Sequence, residues 1–249
     1  MNKHFFYIIS IGFFLIICEV ELKSSQIINN LSYGISAEYN FENHTINKLS
    51  LPEISYIAPN EFSANGNNIN FSIDFLYNLD DFQSLAFSTS YSFRSINSAI
   101  IQNEIINLDS TAILGKFEHN FNFNSQAICL KLEYKYEFNP SFGLGALLKY
   151  NFNIDNDFFY KQVLVYPVDR AYFIETGTRT RNKLNGNLQN FSVGNFSAGI
   201  FVYKEYPLSI DNKIIAIPKI GYSHSLLYLD KFSLWTYHSY FLTISILYK

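Results

Sequence analysis

Cysteine is nearly missing from this 249-residue chain. It has two, Cys18 and Cys129, and only Cys129 lies beyond the first 25 residues, which read as a leader. A single thiol makes no internal disulfide, so a disulfide-stapled secreted domain is excluded. Charge is scarce too: 16% of residues are charged, against about a quarter in ordinary soluble domains. The net charge of −3 offers no electrostatic case for a nucleic-acid partner. After residue 17 no run of 18 apolar residues occurs, so the body of the chain holds no membrane helix. Metal-ligand spacings such as HxxxH, HExxH and CxxC are absent. The glycines at Gly177, Gly186, Gly194 and Gly199 form no phosphate-binding loop. No metal or cofactor site is therefore expected.

What the chain has is aromatic rings. Its 19 Tyr, 25 Phe and 1 Trp make up 18% of residues, and aromatics suit a pleated, half-buried surface. Apolar residues reach 48%, yet mean hydropathy is only +0.02, far below that of a polytopic helical protein.

The N-terminus reads as a secretion leader. Lys3 and His4 precede an apolar stretch from Phe5 to Ile17, and Glu19, Glu21, Lys23, Ser24 and Ser25 follow. The stretch is too short to span a bilayer, which takes about 20 apolar residues, but it suits a signal peptide. Leu15-Ile16-Ile17-Cys18 loosely resembles a lipobox, with Ile17 where a small residue is wanted. The expected division is a leader over 1–25 and one domain over 26–249.

That domain alternates with period two, the mark of strands with two unlike faces. Leu31, Tyr33, Ile35, Ala37, Tyr39 and Phe41 alternate with polar residues. So do runs over 69–77, 85–94, 113–123, 128–138 and 142–152. Strand-like stretches at 158–166 and 191–204 leave their register open. A ninth run over 213–228 contains Pro218, which predicts a bulge or a weak ladder. A tenth closes the chain. Short connections are expected at 78–81, 124–125, 139–141, 155–157, 205–211 and 229–230. Long ones are expected at 42–68, 96–110 and 167–190. Short turns on one side and mostly long loops on the other is the pattern of outer-membrane barrels.

The fold expected is all-β: a closed, antiparallel, up-and-down transmembrane barrel of about ten strands, within a range of eight to twelve. Apolar faces this rich in rings would overfill a small barrel's interior, so they are expected to face lipid. Rings near strand ends, such as Tyr39, Phe41, Tyr150 and Phe152, fit interfacial girdles. The polar face then lines the lumen, with Glu38, Asp74, Arg94, Lys116, Glu118, Lys131, Glu133, Lys135, Glu137 and Lys149 pointing inward. Paired, these charges fill the barrel; unpaired, they line a pore.

The layout resembles the small outer-membrane β-barrel superfamily, the porin-like and surface barrels of Gram-negative bacteria. The resemblance covers residues 32–249. Its most family-like piece is the last strand, where Tyr240, Leu242, Ile244, Ile246 and Tyr248 alternate as in the C-terminal signal read by the barrel-assembly machinery. Lys249 follows where that pattern ends on the aromatic. The resemblance implies an integral outer-membrane protein with both termini periplasmic. Its partners would be membrane lipid and lipopolysaccharide.

Three roles follow. The favoured one is structural or surface interaction through the long loops, with an unidentified surface partner. The alternative is a small-solute channel, and a lesser alternative is an enzyme at the rim. A basic loop of Arg170, Arg179, Arg181 and Lys183 is a candidate for phosphate groups of lipopolysaccharide or an acidic partner. Asp80–Asp81 reads as a turn former. His44 is assigned to the first long loop, and His119, His224 and His238 to the lipid face. His224–Ser225 and His238–Ser239 are neighbours on a strand, so each pair points to opposite faces. No catalytic residue is assigned.

Overall fold

The computed structural model describes residues 30–47, 62–108, 111–139, 142–167, 171–174, 176–188, 192, 194–229 and 234–249. The expected leader and Arg170 lie outside the described residues. Ten strands follow in order: β1 (Leu31–Ile46), β2 (Phe62–Asn78), β3 (Gln83–Leu108), β4 (Thr111–Asn139), β5 (Phe142–Tyr166), β6 (Thr180–Gly186), β7 (Gly194–Lys204), β8 (Tyr206–Pro207), β9 (Ile214–Ser225) and β10 (Thr236–Tyr248).

Every pairing is antiparallel. The order runs β1-β2-β3-β4-β5-β7-β9, and β10 pairs with both β9 and β1. These eight strands close a ring, β8 continues β7 along β9 in the same register, and β6 attaches to the distal part of β5. Closure leaves the ring without an edge, as hydrocarbon requires.

The wall needs eight strands because β4 and β5 each contain two predicted ones. The turn expected at Asn124–Ser125 does not occur: β4 runs unbroken for 29 residues. From Gly115 to Lys135 its odd residues face inward throughout. The face assigned to its first half was therefore inverted. Phe117, His119, Phe121 and Phe123 point in, and Lys116 and Glu118 point out. The turn expected at 155–157 is instead a bulge near Ile154, where the β4 register steps from Gln126↔Asp155 to Ala127↔Asn153. One extra residue flips parity, so Lys149 and Asn151 face in before it, and Phe158 and Tyr160 after it.

With those turns removed, the connections sort by side. Residues 79–82 and 205–213 are short links at the rim that holds Leu31 and Tyr248, here the terminal rim, where β4 also ends and β5 begins. In the 79–82 link, Asp80 Oδ1 accepts the amides of Phe82 (2.8 Å) and Gln83 (2.7 Å), a turn-forming role. The distal rim holds the connections after β1, β3, β5 and β9. Pro218 sits where β9 changes partner, with Lys219 paired to Tyr203 of β7 and Ala216 to Tyr206 of β8. The missing amide falls in that gap.

Outward side chains next to the terminal rim form a continuous apolar belt. It includes Ile35, Phe71, Ile73, Leu132, Leu144, Ile220 and Ile244, all exposed. Tyr33 and Tyr248 (ring centroids 5.7 Å apart) border it on the terminal side, and Tyr39, Phe93 and Tyr222 on the other. Its height of about nine to eleven residues per strand suits a membrane-spanning strand. Exposed apolar area on this scale is stable only against lipid, so the belt is the membrane-spanning part. At 26 and 29 residues, β3 and β4 run far past it.

Candidate functional site

The interior is built in two layers. In the belt the inward residues are polar and charged. Glu38 on β1 is the hub. Its carboxylate meets Lys149 Nζ at 2.6 Å, Lys131 Nζ at 3.1 Å and the Thr243 hydroxyl at 3.1 Å. Asn70 donates to it at 2.9 Å. From Lys131 the chain continues to Glu133 (3.1 Å), and from Glu133 to Lys219 (2.7 Å). The charges alternate in sign from Lys149 to Lys219, and all are buried. In the eight-strand ring β1 and β5 stand diametrically opposite. The Glu38–Lys149 bond therefore crosses the whole lumen.

A second group lies nearer the distal rim. Arg94 grips Glu42 through two nitrogens, at 2.8 and 3.1 Å, the two-point geometry that makes such pairs strong. Glu42 also meets His44 Nε2 at 3.0 Å, and the Trp235 indole N–H donates to His44 Nδ1 at 3.1 Å. His44 is thus an inward residue of β1 and not part of a loop, because β1 continues to Ile46.

Rings fill what the ions leave. Phe201 and Tyr203 on β7 point inward against Gly145 and Gly143, their register partners on β5. A Cβ on either glycine would collide with the opposing ring. Lys149 Nζ lies 4.7 Å from the Phe241 ring centre, Lys219 5.7 Å from Phe201, and Lys135 5.4 Å from Tyr203. A cavity of about 10 Å³ lies between the two ionic groups, lined by Glu42, Asn70 and Lys149, no more than one water needs. A larger recess of about 320 Å³ opens at the terminal rim among Asp80, Asp81, Glu137, Tyr203, Glu205 and Lys249.

Of the ten expected lumen charges, Glu38, Arg94, Lys131, Glu133, Lys135 and Lys149 are buried with the partners above. Asp74 is buried on the same face of β2, its Oδ1 without a hydrogen-bond partner among the described residues. Glu137 lines the terminal recess. Lys116 and Glu118 lie outside on the distal part of β4. Glu42, His44, Lys219 and Trp235 were missed. Glu42 shares the face of Glu38 at even spacing, and Lys219 alternates with Ile220, so both were readable by parity alone.

Past the belt the interior turns apolar. Ile46, Ile96, Phe121, Phe123, Phe158, Leu229, Trp235 and Tyr237 pack into one cluster across the distal lumen. Phe123 and Trp235 meet edge-on at 5.1 Å. Above it, β3, β4, β5 and β6 continue as a four-stranded sheet whose inner row is Ile100, His119, Gln162 and Arg181. His119 Nδ1 bonds the Tyr160 hydroxyl at 2.7 Å. Burial, helped by Arg181, holds His119 down at about 4, and burial pushes Tyr160 up to about 12. Burial also raises Glu104.

Of the expected basic loop, Arg179 and Arg181 are bonded within the chain. Arg179 donates to the Leu164 carbonyl (2.6 and 3.0 Å) and the Val165 carbonyl (2.9 Å). Arg181 bonds Gln162 at 2.8 Å and lies 4.3 Å from the Phe173 ring centre. Lys183 sits 6.0 Å over Phe159. Arg181 and Lys183 belong to β6, which pairs with the part of β5 beyond its last β7 partner, Phe152. On β9 and β10, His224 and His238 face out while Ser223, Ser225 and Ser239 are buried inside.

No protein-family model and no curated protein matches the chain. Solved structures do. The attachment invasion locus protein Ail of Yersinia pestis is 11% identical over 87% of this chain and 98% of its own, with a TM-score of 0.34. Neisserial surface protein A is 10% identical over 88% and 96%, with a TM-score of 0.32. The outer membrane protease OmpT of Escherichia coli is 10% identical over 88% and 96%, with a TM-score of 0.36. Scores at that level carry nothing about role, and the barrel stands on its own closed pairing and its apolar belt.

Proposed function

We propose that the chain is an integral outer-membrane barrel with both termini periplasmic, whose distal sheet and loops form an interaction surface and whose lumen is a filled, non-conducting support. The observation that carries this reading is the Glu38–Lys149 bond across the lumen. It is backed on one side by the rings of Phe201 and Tyr203 and on the other by the Trp235 cluster. Ions would have to break buried pairs to pass, and a buried charge stripped of its partner costs about 3–5 kcal/mol.

The belt is the surface for membrane lipid. The outward row of β10, Tyr240, Leu242, Ile244, Ile246 and Tyr248, suits recognition by barrel-assembly machinery. Lipopolysaccharide phosphates would bind the distal face only in competition with the internal bonds of Arg179 and Arg181. A catalytic role gains no support from the histidines of β9 and β10, which face away from the buried serines.

The test is planar-bilayer conductance of the refolded, detergent-purified chain, with a heat-modifiable gel shift to show that it is folded. Folded protein that leaves the bilayer silent is the expected result. A steady, ion-selective current would overturn the reading and make the chain a small-solute channel.

A further inference from the structure

The geometry points to a self-complementary docking edge: the distal edge of β3, backbone 100–106, pairs with the same edge of a second copy, antiparallel about Asn103. This rests on the surface-display reading above and names its partner.

β2 pairs with β3 only from Asn78↔Ser84 to Asn65↔Asn97. Beyond Asn97 the ladder to β2 ends, although the Ser98 hydroxyl still donates to the Ser63 carbonyl of β2 at 3.2 Å. From Ile100 to Leu108 β3 has β4 on one side and no paired strand on the other among the described residues. An edge strand left so is a template for another strand. Its outward residues Ile101 and Ile105 are 64% and 76% exposed, and Leu114, the partner of Ile105 on β4, is 56% exposed. Neither lysine nor proline guards the stretch.

The occupant follows from the sequence of that edge, Ile100-Ile101-Gln102-Asn103-Glu104-Ile105-Ile106. It reads nearly the same from either side of Asn103. An antiparallel pair centred there sets Ile101 against Ile105, Ile100 against Ile106 and Gln102 against Glu104. Gln102 and Glu104 share the inward face of that edge, and Glu104 Oε1 is buried without a hydrogen-bond partner among the described residues. Across the two-fold, the Gln102 Nε2–H of one copy donates to Glu104 Oε1 of the other and supplies the partner that this carboxylate oxygen lacks. The register that matches these side chains is also the one that overlaps the free edge from 100 to 106. A single patch that serves both partners is the mark of a two-fold contact.

Antiparallel pairing fixes the arrangement. Copies inserted the same way in one bilayer have their β3 strands running the same way. Two β3 edges can meet antiparallel only when the barrels face each other from opposed bilayers. The contact is therefore a homotypic bridge between membranes.

Disulfide trapping in phosphatidylcholine vesicles tests it, in a Cys18→Ser, Cys129→Ser background. A mixture of Ile101→Cys and Ile105→Cys chains should cross-link between variants, while neither variant cross-links to itself. Clustering of vesicles should fall about ten-fold in Ile101→Lys, Ile105→Lys, which opposes like charges at both pairs. It should return to within about two-fold of the parent in Ile101→Lys, Ile105→Glu. A gel shift confirms that each variant is folded. Cross-linking of Ile101→Cys to itself would show parallel pairing within one bilayer and overturn the proposal, as would no cross-linking at all. Conductance on the same vesicles separates the two readings, because silent vesicles that fail to cluster sink the bridge and leave the surface barrel standing.

Discussion

Strand β4 passes through two solvents without changing its twist of in and out. Near the terminal rim Leu132 and Tyr134 face outward while Lys131 and Glu133 face inward. Some ten residues earlier, Asn120 and Asn122 face outward while Phe121 and Phe123 face inward. The backbone parity is one and the polarity is opposite. In the distal half the outside is water, so the interior must be apolar for burial to drive folding. In the belt the outside is lipid, which is as apolar as leucine, and hiding rings from it gains little. The interior there is free to be ionic, provided each charge meets its partner. The Glu38 network and the Trp235 cluster are two answers to what fills a barrel, chosen by what surrounds it.

The largest break should come from the ionic layer. Glu38→Ala leaves Lys131 and Lys149 buried without their shared carboxylate and is expected to cost about 3–5 kcal/mol. Urea unfolding in vesicles, followed through the buried Trp235, measures it. Replacing the three charges together, with Glu38→Leu, Lys131→Met and Lys149→Met, should recover most of that loss, since an apolar filling of similar volume can match a buried ion pair. A cost under about 1 kcal/mol for Glu38→Ala would mean that the lumen is wetter than the described packing.

A smaller effect separates the two outsides directly. Ile244 faces outward at mid-belt, between Ala37 and Pro218. Ile244→Arg is expected to cost about 2–4 kcal/mol, as arginine does at the bilayer midplane. Asn122→Arg, outward on the distal part of β4, should stay within about 0.5 kcal/mol. Equal costs at the two positions would place the lipid boundary elsewhere.

That boundary is also what the sequence could and could not disclose. The alternation that makes a barrel is plain in residues such as Tyr33 to Phe41, and so is the inward face of Glu38, Arg94, Lys131 and Lys149. The strand count was not, because at Asn124 the apolar set jumps from odd to even positions. A jump of phase looks like a turn, and Asn and Ser are turn formers. The chain instead stays straight while its surroundings change from water to lipid. At Ile154 the phase change is a real bulge in a strand that continues. Nothing local distinguishes the two cases. The partner across a sheet does, since β3 pairs with β4 without a break from Gln83↔Tyr136 to Leu108↔Thr111. The basic residues of β6 were misread for a related reason. Their roles depend on β5 outrunning β7, a length mismatch between strands distant in sequence.

The smallest expected effect is one of pH, and it belongs to the distal half. His119 lies inward beside Tyr160 and Arg181, and burial with that nearby cation lowers it from 6.5 to about 4. The folded chain therefore keeps this imidazole neutral at a pH where the unfolded chain protonates it. The unfolded state binds more protons between about 6.5 and 4, so stability falls as pH drops through that window and levels off below it. Glu104, raised by burial, works in the opposite sense, because its folded form holds a proton the unfolded form gives up. The net loss should be on the order of 1 kcal/mol. It should appear as faster amide exchange in the distal parts of β3, β4 and β5 at pH 4.5 than at pH 7, corrected for intrinsic rates, with the belt strands unmoved. His119→Gln should remove the His119 share of the loss on acidification in these strands. If the belt loosens instead and the distal sheet does not, the division of the barrel into two independently filled halves is wrong.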